Sequence, residues 1–159
     1  MANIKYAELA VSIVICQLAG AISSIVTLNS ITTWYAELHK PAFAPPNWLF
    51  GPVWIILYLL MGISLYLIWN KGLDSMEGKV AIALFAIQLA LNAAWSPIFF
   101  GLHALKLSFY VILTMWAFIA VTIVRFHSIS KPAAYLLIPY IGWVSIATIL
   151  NYFIMILNV

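Results

Sequence analysis

The sequence predicts an all-α integral membrane protein whose single domain, residues 1–159, is a bundle of five transmembrane helices. Hydrophobic residues make up 66% of the chain and charged residues only 7%. The mean hydropathy of +1.10 lies outside the range of a water-soluble domain. Five apolar runs are long enough to cross a bilayer, and we expect each to be one membrane-spanning segment.

The five runs leave only short connections. The first run begins close to Met1, contains Glu8 and is followed by no small-residue cleavage site, so we expect it to be retained as a span. The longest connection, 29–46, is expected to lie outside the membrane. The predicted spans are 4–28, 47–69, 80–100, 105–124 and 133–157.

The basic residues predict the orientation of the bundle. Five of them fall on the side of the N-terminus and two on the opposite side. Because cytoplasmic connections carry an excess of Lys and Arg, the N-terminus is predicted to face the cytoplasm. The formal net charge of +3 forms no basic stripe, so no nucleic-acid partner is expected. The five are Lys5, Lys71, Lys79, Arg125 and Lys131, and the two are Lys40 and Lys106.

The sequence shows little sign of a conventional catalytic site or a metal site. Cys16 is the lone cysteine, so no disulfide or zinc site is predicted. His39, His103 and His127 are far apart and are interpreted as interfacial polar residues, with haem ligation by one of them as the alternative. No phosphate loop, catalytic triad or carboxylate pair is present, and no cofactor is expected to be required.

The third span has two different faces at about 100° per residue. One face carries small residues spaced for close helix contact, which predicts either a homodimer interface or packing against another helix of the same chain. The opposite face carries amide and aromatic side chains, which we expect to point inward because unpaired amides are costly in lipid. The small residues are Ala83, Ala86, Ala90 and Ala94; the inward residues are Gln88, Asn92, Trp95 and Phe99.

Aromatic stripes follow the second and fifth spans. Stripes of this kind usually pack a core, but Ala147 lies one turn from Trp143 and leaves room that a packed core would fill. The alternative is therefore a pocket with aromatic walls for a flat apolar ligand. The stripes are Phe50, Trp54, Tyr58 and Met61 in the second span, and Tyr140, Trp143, Ala147, Leu150 and Asn151 in the fifth.

Three motifs, in order, identify a family. They are W-Y-x-x-L-x-K-P-x-F-x-P-P-N-W-x-F-x-P-V-W from Trp34 to Trp54, Q-L-A-L-N-A-A-W-S-P-I-F-F from Gln88 to Phe100, and P-Y-I-G-W-V-S-I-A-T-I-L-N from Pro139 to Asn151. With these motifs the chain resembles the translocator protein family, also called tryptophan-rich sensory proteins or peripheral benzodiazepine receptors. The absence of a basic tail favours a bacterial member in a cell membrane.

The resemblance implies a five-helix bundle, often dimeric, with a cavity that opens beneath the first connection. Family members bind porphyrins, sterols or synthetic drugs, and some bacterial members degrade protoporphyrin in light. The tryptophans linked to that reaction match Trp54 and Trp143, and Lys40 or His39 would meet porphyrin propionates at the mouth. The ligand-lining positions match Tyr35, Pro45, Tyr58, Asn92, Trp95, Ala147 and Leu150.

The favoured function is therefore a membrane receptor or sensor for tetrapyrroles such as protoporphyrin. Light-dependent porphyrin degradation and ligand transport are the alternatives, although no internal repeat supports transport. A fourth hypothesis is a dimer that only scaffolds partners. Sterol binding through the family's linear motif is not expected, because no Lys or Arg follows Tyr152.

Overall fold

A computed structural model describes residues 5–72 and 74–159, and within them it confirms the all-α class. Five helical segments have the length and apolar character needed to span a bilayer. Their bounds are Tyr6–Ile31, Asn47–Lys71, Met76–Gly101, Leu105–Ile129 and Lys131–Asn158. The predicted start of the first span at Ile4 lies outside the described residues.

The helices run beyond most of the predicted limits. The first helix continues to Ile31 and the fourth spanning helix to Ile129, beyond the predicted span limits at 28 and 124. The connection 29–46 also contains a short helix. The α-helices are α1 (Tyr6–Ile31), α2 (Trp34–Glu37), α3 (Asn47–Gly72), α4 (Met76–Ser96), α5 (Leu105–Ile129), α6 (Lys131–Leu136) and α7 (Ile138–Asn158).

Proline explains how two of these segments are divided. The fifth span consists of α6 and α7, which meet at Leu137, and Pro139 lies in the first turn of α7, where its missing N–H costs no hydrogen bond. The third span continues from α4 into a π-helical turn, Pro97–Gly101. Pro97 cannot donate to the carbonyl of Ala93, and the Ser23 hydroxyl of α1 donates to that oxygen instead, at 3.1 Å.

Two glycines allow α1 to approach α3 closely. A Cβ atom built on Gly62 would lie 2.6 Å from the Cα of Ile13, so only glycine permits this backbone separation. A Cβ atom on Gly20 would lie 2.3 Å from the ring of Tyr58. Close packing of α1 therefore determines where the Tyr58 ring can lie.

The two faces predicted for the third span are confirmed. Gln88, Asn92 and Phe99 are buried and Trp95 is half-buried. The four alanines are exposed, which excludes the alternative that they pack against another helix of the same chain. The exposed alanines are Ala83, Ala86, Ala90 and Ala94.

Candidate functional site: the aromatic interior

A hydrogen-bonded network of amides and phenols lies at the centre of the bundle. The carboxamide oxygen of Asn92 accepts a bond from the Tyr58 hydroxyl, and its Nδ2 donates to the Tyr140 hydroxyl at 2.9 Å. The Tyr140 hydroxyl donates in turn to Oε1 of Gln88 at 2.8 Å. All four side chains are buried. The network joins α3, α4 and α7, and its internal bonds offset the cost of placing amides among apolar residues.

The tryptophans implicated by the resemblance lie beside this network. Trp54 stacks on Tyr58 with ring centroids 5.4 Å apart, and its ring meets Tyr140 edge-on at 6.2 Å. Trp143 meets Phe50 edge-on at 5.7 Å. Because α3 and α7 run in opposite directions, these two cross-helix contacts place Trp54 and Trp143 on neighbouring turns.

Trp95 connects the centre of the bundle with its end near α2. Its Nε1 donates to Oδ1 of Asn151 at 3.1 Å, and its ring stacks on Phe99 at 5.0 Å. It packs against an inner cluster that contains Tyr58 and against an outer cluster that contains Tyr35. The two clusters therefore form a continuous aromatic interior.

The structure brings most of the predicted site residues into this interior. The inner cluster contains Trp54, Tyr58, Trp95, Trp143 and Ala147, and the outer cluster contains Tyr35 and Leu150. Asn92 joins the inner cluster through its hydrogen bonds. Pro45 is half-buried in the loop before α3 and is not packed into either cluster.

The predicted site set omits Tyr140 and Gln88, which complete the network. Both lie on the inward faces that helical projection identifies, and both are buried at bilayer depth. Sequence reasoning could have found both residues, because a polar side chain within a membrane span requires a hydrogen-bond partner. Gly20 of α1 is a further residue that the predicted set omits, and it limits the position of the Tyr58 ring.

Of the two groups expected at the mouth, the Lys40 ammonium is occupied by the loop itself, whereas the His39 imidazole is free of the loop. The Lys40 ammonium donates to the carbonyl oxygens of Tyr35 and Leu38 at 2.6 and 3.2 Å, and lies 4.6 Å from the centre of the Tyr35 ring. Burial raises the pKa of the Tyr35 phenol, so this side chain remains neutral. The backbone of His39 is bonded to Asn158 of α7, and the side chain of His39 is exposed.

Two buried donors in this interior have no partner among the described residues. They are Nε1 of Trp143 and Nε2 of Gln88. Two open grooves of the described surface lie elsewhere and are lined by neither Trp54 nor Trp143. The aromatic rings contact one another, so a ligand can occupy this interior only when rings move apart.

Comparison with known proteins identifies the family. Residues 12–157 match the model of the TspO/MBR family. The chain is 41% identical to the tryptophan-rich protein TspO of Chlorobaculum tepidum, over 98% of this chain and 99% of that protein. It is 36% identical to the tryptophan-rich sensory protein of Cereibacter sphaeroides (87% and 85% of the two chains), and 42% identical to the human translocator protein (75% and 71%). Together with the five apolar helices, these matches show that the chain is an integral membrane protein of the TspO/MBR family.

Proposed function

We propose that this protein is a membrane receptor or sensor that binds a tetrapyrrole such as protoporphyrin between α3, α4 and α7. The observation that carries the proposal is the convergence of Trp54, Trp95 and Trp143 around a buried amide and phenol network. Relatives named as sensory and translocator proteins support a role of this general kind.

The chemistry of the interior suits a flat ligand with an acceptor atom. Large rings offer a planar macrocycle dispersion and stacking contacts that are small singly and large in sum. The unpaired Nε1 of Trp143 costs about 1–3 kcal/mol while it is buried. A ligand acceptor that reached this donor would remove that cost, so binding would satisfy the indole as well as fill the space between separated rings.

We expect a ligand to reach the inner tryptophans by way of the outer cluster. Tyr35 of α2 and Leu150 of α7 belong to this cluster, and Trp95 links them to the inner tryptophans. A ligand that entered beneath the loop would therefore meet aromatic surface along its whole path. The exposed imidazole of His39 is available to a propionate there, whereas Lys40 would first have to release backbone carbonyls.

A titration with protoporphyrin tests the proposal. Purified protein in detergent is titrated while tryptophan fluorescence is followed, and Trp143→Ala is compared with Trp48→Ala. Trp48 is 72% exposed at the start of α3, so its loss should leave the affinity unchanged. Trp143→Ala should weaken binding about tenfold or more, as expected for a buried aromatic anchor. If the wild type and both variants bound protoporphyrin with equal affinity, Trp143 would not belong to the binding site.

Light-dependent degradation of the bound porphyrin is the second candidate. It is favoured by the contacts of Trp54 with two electron-rich phenol rings, Tyr58 and Tyr140. The test is light-dependent loss of porphyrin absorbance together with a new product. The Trp54→Phe, Trp143→Phe double variant should react slowly even when it is saturated with porphyrin. An unchanged rate would exclude Trp54 and Trp143 from the reaction without affecting the binding proposal.

We propose in addition that two copies pair through the alanine face of α4. Ala83, Ala86, Ala90 and Ala94 are exposed along one side of a membrane-spanning helix. Small side chains let two backbones approach closely, which gains van der Waals contact where lipid provides no hydrophobic drive. This face points away from the aromatic interior, so pairing leaves that interior accessible.

A further inference from the structure

Two open grooves lie along one seam, the line of contact between α5 and α7, outside the aromatic interior. The first has a volume of about 510 Å³, lies where α5 begins and α7 ends, and is lined in part by Trp34, His103 and Lys106. The second has a volume of about 330 Å³ and lies further along both helices. It is lined by Leu113, Trp116, Ser145, Thr148 and Ile149.

The two grooves belong to one continuous surface. Lys106, Leu113 and Trp116 lie within about 80° of one another around α5, at about 100° per residue. Between the grooves, Phe109 of α5 and Tyr152 of α7 bridge the seam with ring centroids 5.5 Å apart. Leu113, Trp116 and Tyr152 are 41%, 39% and 43% exposed, so large apolar side chains follow the seam at the surface.

The first groove is lined by a basic residue. Lys106 and His103 are the ionisable side chains that line it, and Lys106 has no ion-pair partner among the described residues. The α5 helix begins here without a side-chain cap, because its N-cap residue is Ala104. The partial positive charge of this helix N-terminus is offset by the partial negative charge of the last turn of α7, at Asn158, so Lys106 provides the positive charge of the groove. The indole of Trp34, stacked on His103 at 4.0 Å, forms an apolar wall beside these charges.

The second groove is apolar with a polar floor. Nε1 of Trp116 donates to the Ser145 hydroxyl at 2.9 Å, which connects α5 with α7 at this depth. The Ser145 hydroxyl also donates to the carbonyl of Ile141 at 2.8 Å. Because the indole and the hydroxyl already have partners, this groove requires no polar ligand group and is suited to a hydrocarbon chain.

We propose that the seam binds one anionic phospholipid of the surrounding bilayer, with its phosphate at Lys106 and one acyl chain lying between α5 and α7 as far as Trp116. Ten residues separate Lys106 from Trp116, and a helix rises about 15 Å over that distance. This length equals half of a hydrocarbon core of about 30 Å, the depth that one acyl chain covers. Charge at one end and apolar surface over the correct length together specify a lipid rather than a free anion.

Lipid retention by the full-length protein tests this site. Protein purified with mixed lipids is analysed by native mass spectrometry, comparing phosphatidylglycerol with phosphatidylcholine of the same acyl chains. The wild type should retain phosphatidylglycerol preferentially, and Lys106→Gln should weaken retention about fivefold, the factor for one lysine at an anionic surface. Lys79→Gln, an exposed lysine at the opposite end of the bundle, is the matched control and should retain lipid as the wild type does.

A second pair of measurements tests the acyl-chain groove. Ser145→Leu, which fills the groove, should remove the preference for long over short acyl chains, while Lys106→Arg should preserve retention. The proposal is overturned if both phospholipids are retained equally by the wild type, or if the Lys106→Gln and Lys79→Gln proteins behave alike. It is also overturned if inorganic phosphate displaces the bound species and retention is independent of chain length, since a free-anion site would then explain the result.

Discussion

The side-chain amide of Asn158, in the last turn of α7, forms two hydrogen bonds with the backbone of His39, 119 residues earlier in the chain. The His39 N–H donates to Oδ1 and the Asn158 Nδ2 donates to the His39 carbonyl, both at 2.9 Å. Nδ2 also donates to the carbonyl of Ile154 at 2.8 Å, which fixes the amide plane. One side chain thus fastens the loop after α2 to the end of the bundle.

The Asn158→Ala protein should release this loop. Each hydrogen bond contributes about 1 kcal/mol net, so the His39 amide should exchange with solvent about fivefold faster or more. Hydrogen exchange measured by mass spectrometry on the peptide containing His39 checks this. Asn70→Ala, which removes an exposed amide near the end of α3, is the control. Identical exchange in the two variants would show that the Asn158 bonds do not hold the loop.

The Ser23 hydroxyl should stabilise the bundle because Pro97 leaves the carbonyl of Ala93 without its helical donor. We expect Ser23→Ala to lower the free energy of unfolding by about 1 kcal/mol. The control is Ser24→Ala, because Ser24 is exposed and donates to Ala21 of its own helix. Reversible unfolding by SDS titration in detergent provides the measurement.

A double-mutant cycle separates this effect from general packing. Pro97→Ala restores a backbone N–H at the position that can reach the Ala93 carbonyl, so Ser23→Ala should cost less in that background. Equal costs in both backgrounds would mean that the hydroxyl contributes through its second bond, to the carbonyl of Ala19, rather than through the one across the helices.

The sequence predicts which side chains of a single helix face inward. It does not predict which side chains of different helices come into contact. The inward orientation of Asn92 follows from the helical period and the cost of an amide in lipid. Its partners, Tyr58 and Tyr140, belong to two other helices, and their rotation relative to α4 is set by packing. No single-helix pattern contains that information.

The structure of the connection 29–46 is also only partly predictable from the sequence. Its prolines and aromatic residues mark it as structured, but α2 has only four residues, too few for a periodic pattern to reveal. Its position depends on distant contacts, including the bonds from Asn158 to His39. The π-helical turn at Pro97–Gly101 also has partners on a distant helix: Ser30 of α1 donates to the Phe100 carbonyl at 2.8 Å.

Gly20→Ala should disturb the aromatic interior from a helix that contributes no residue to the predicted ligand site. The added methyl would lie 2.3 Å from the Tyr58 ring, which must then move and lose its bond to Asn92. We expect a loss of about 1–3 kcal/mol in stability and weaker protoporphyrin binding. Thermal unfolding and fluorescence titration measure the two effects.

Gly142→Ala is the matched control for this change. It lies one residue before Trp143 in α7, and a Cβ atom there meets nothing within 4 Å. Because alanine favours a helix over glycine, this variant should be slightly more stable and should bind as the wild type does. If Gly20→Ala were equally harmless, the Tyr58 ring could not be confined by α1.

Ala90→Phe should dissociate the proposed dimer because a large side chain prevents two α4 helices from approaching closely. Ala117→Phe provides the matched control, since Ala117 is also exposed on a spanning helix but belongs to α5. Size-exclusion chromatography with light scattering, and photobleaching of labelled protein in liposomes, report the number of copies. The wild type and Ala117→Phe should be dimers at a concentration where Ala90→Phe is a monomer. If both variants kept the wild-type mass, the contact between copies would lie on another face, whereas a monomeric wild type would leave the exposed alanines in contact with lipid alone.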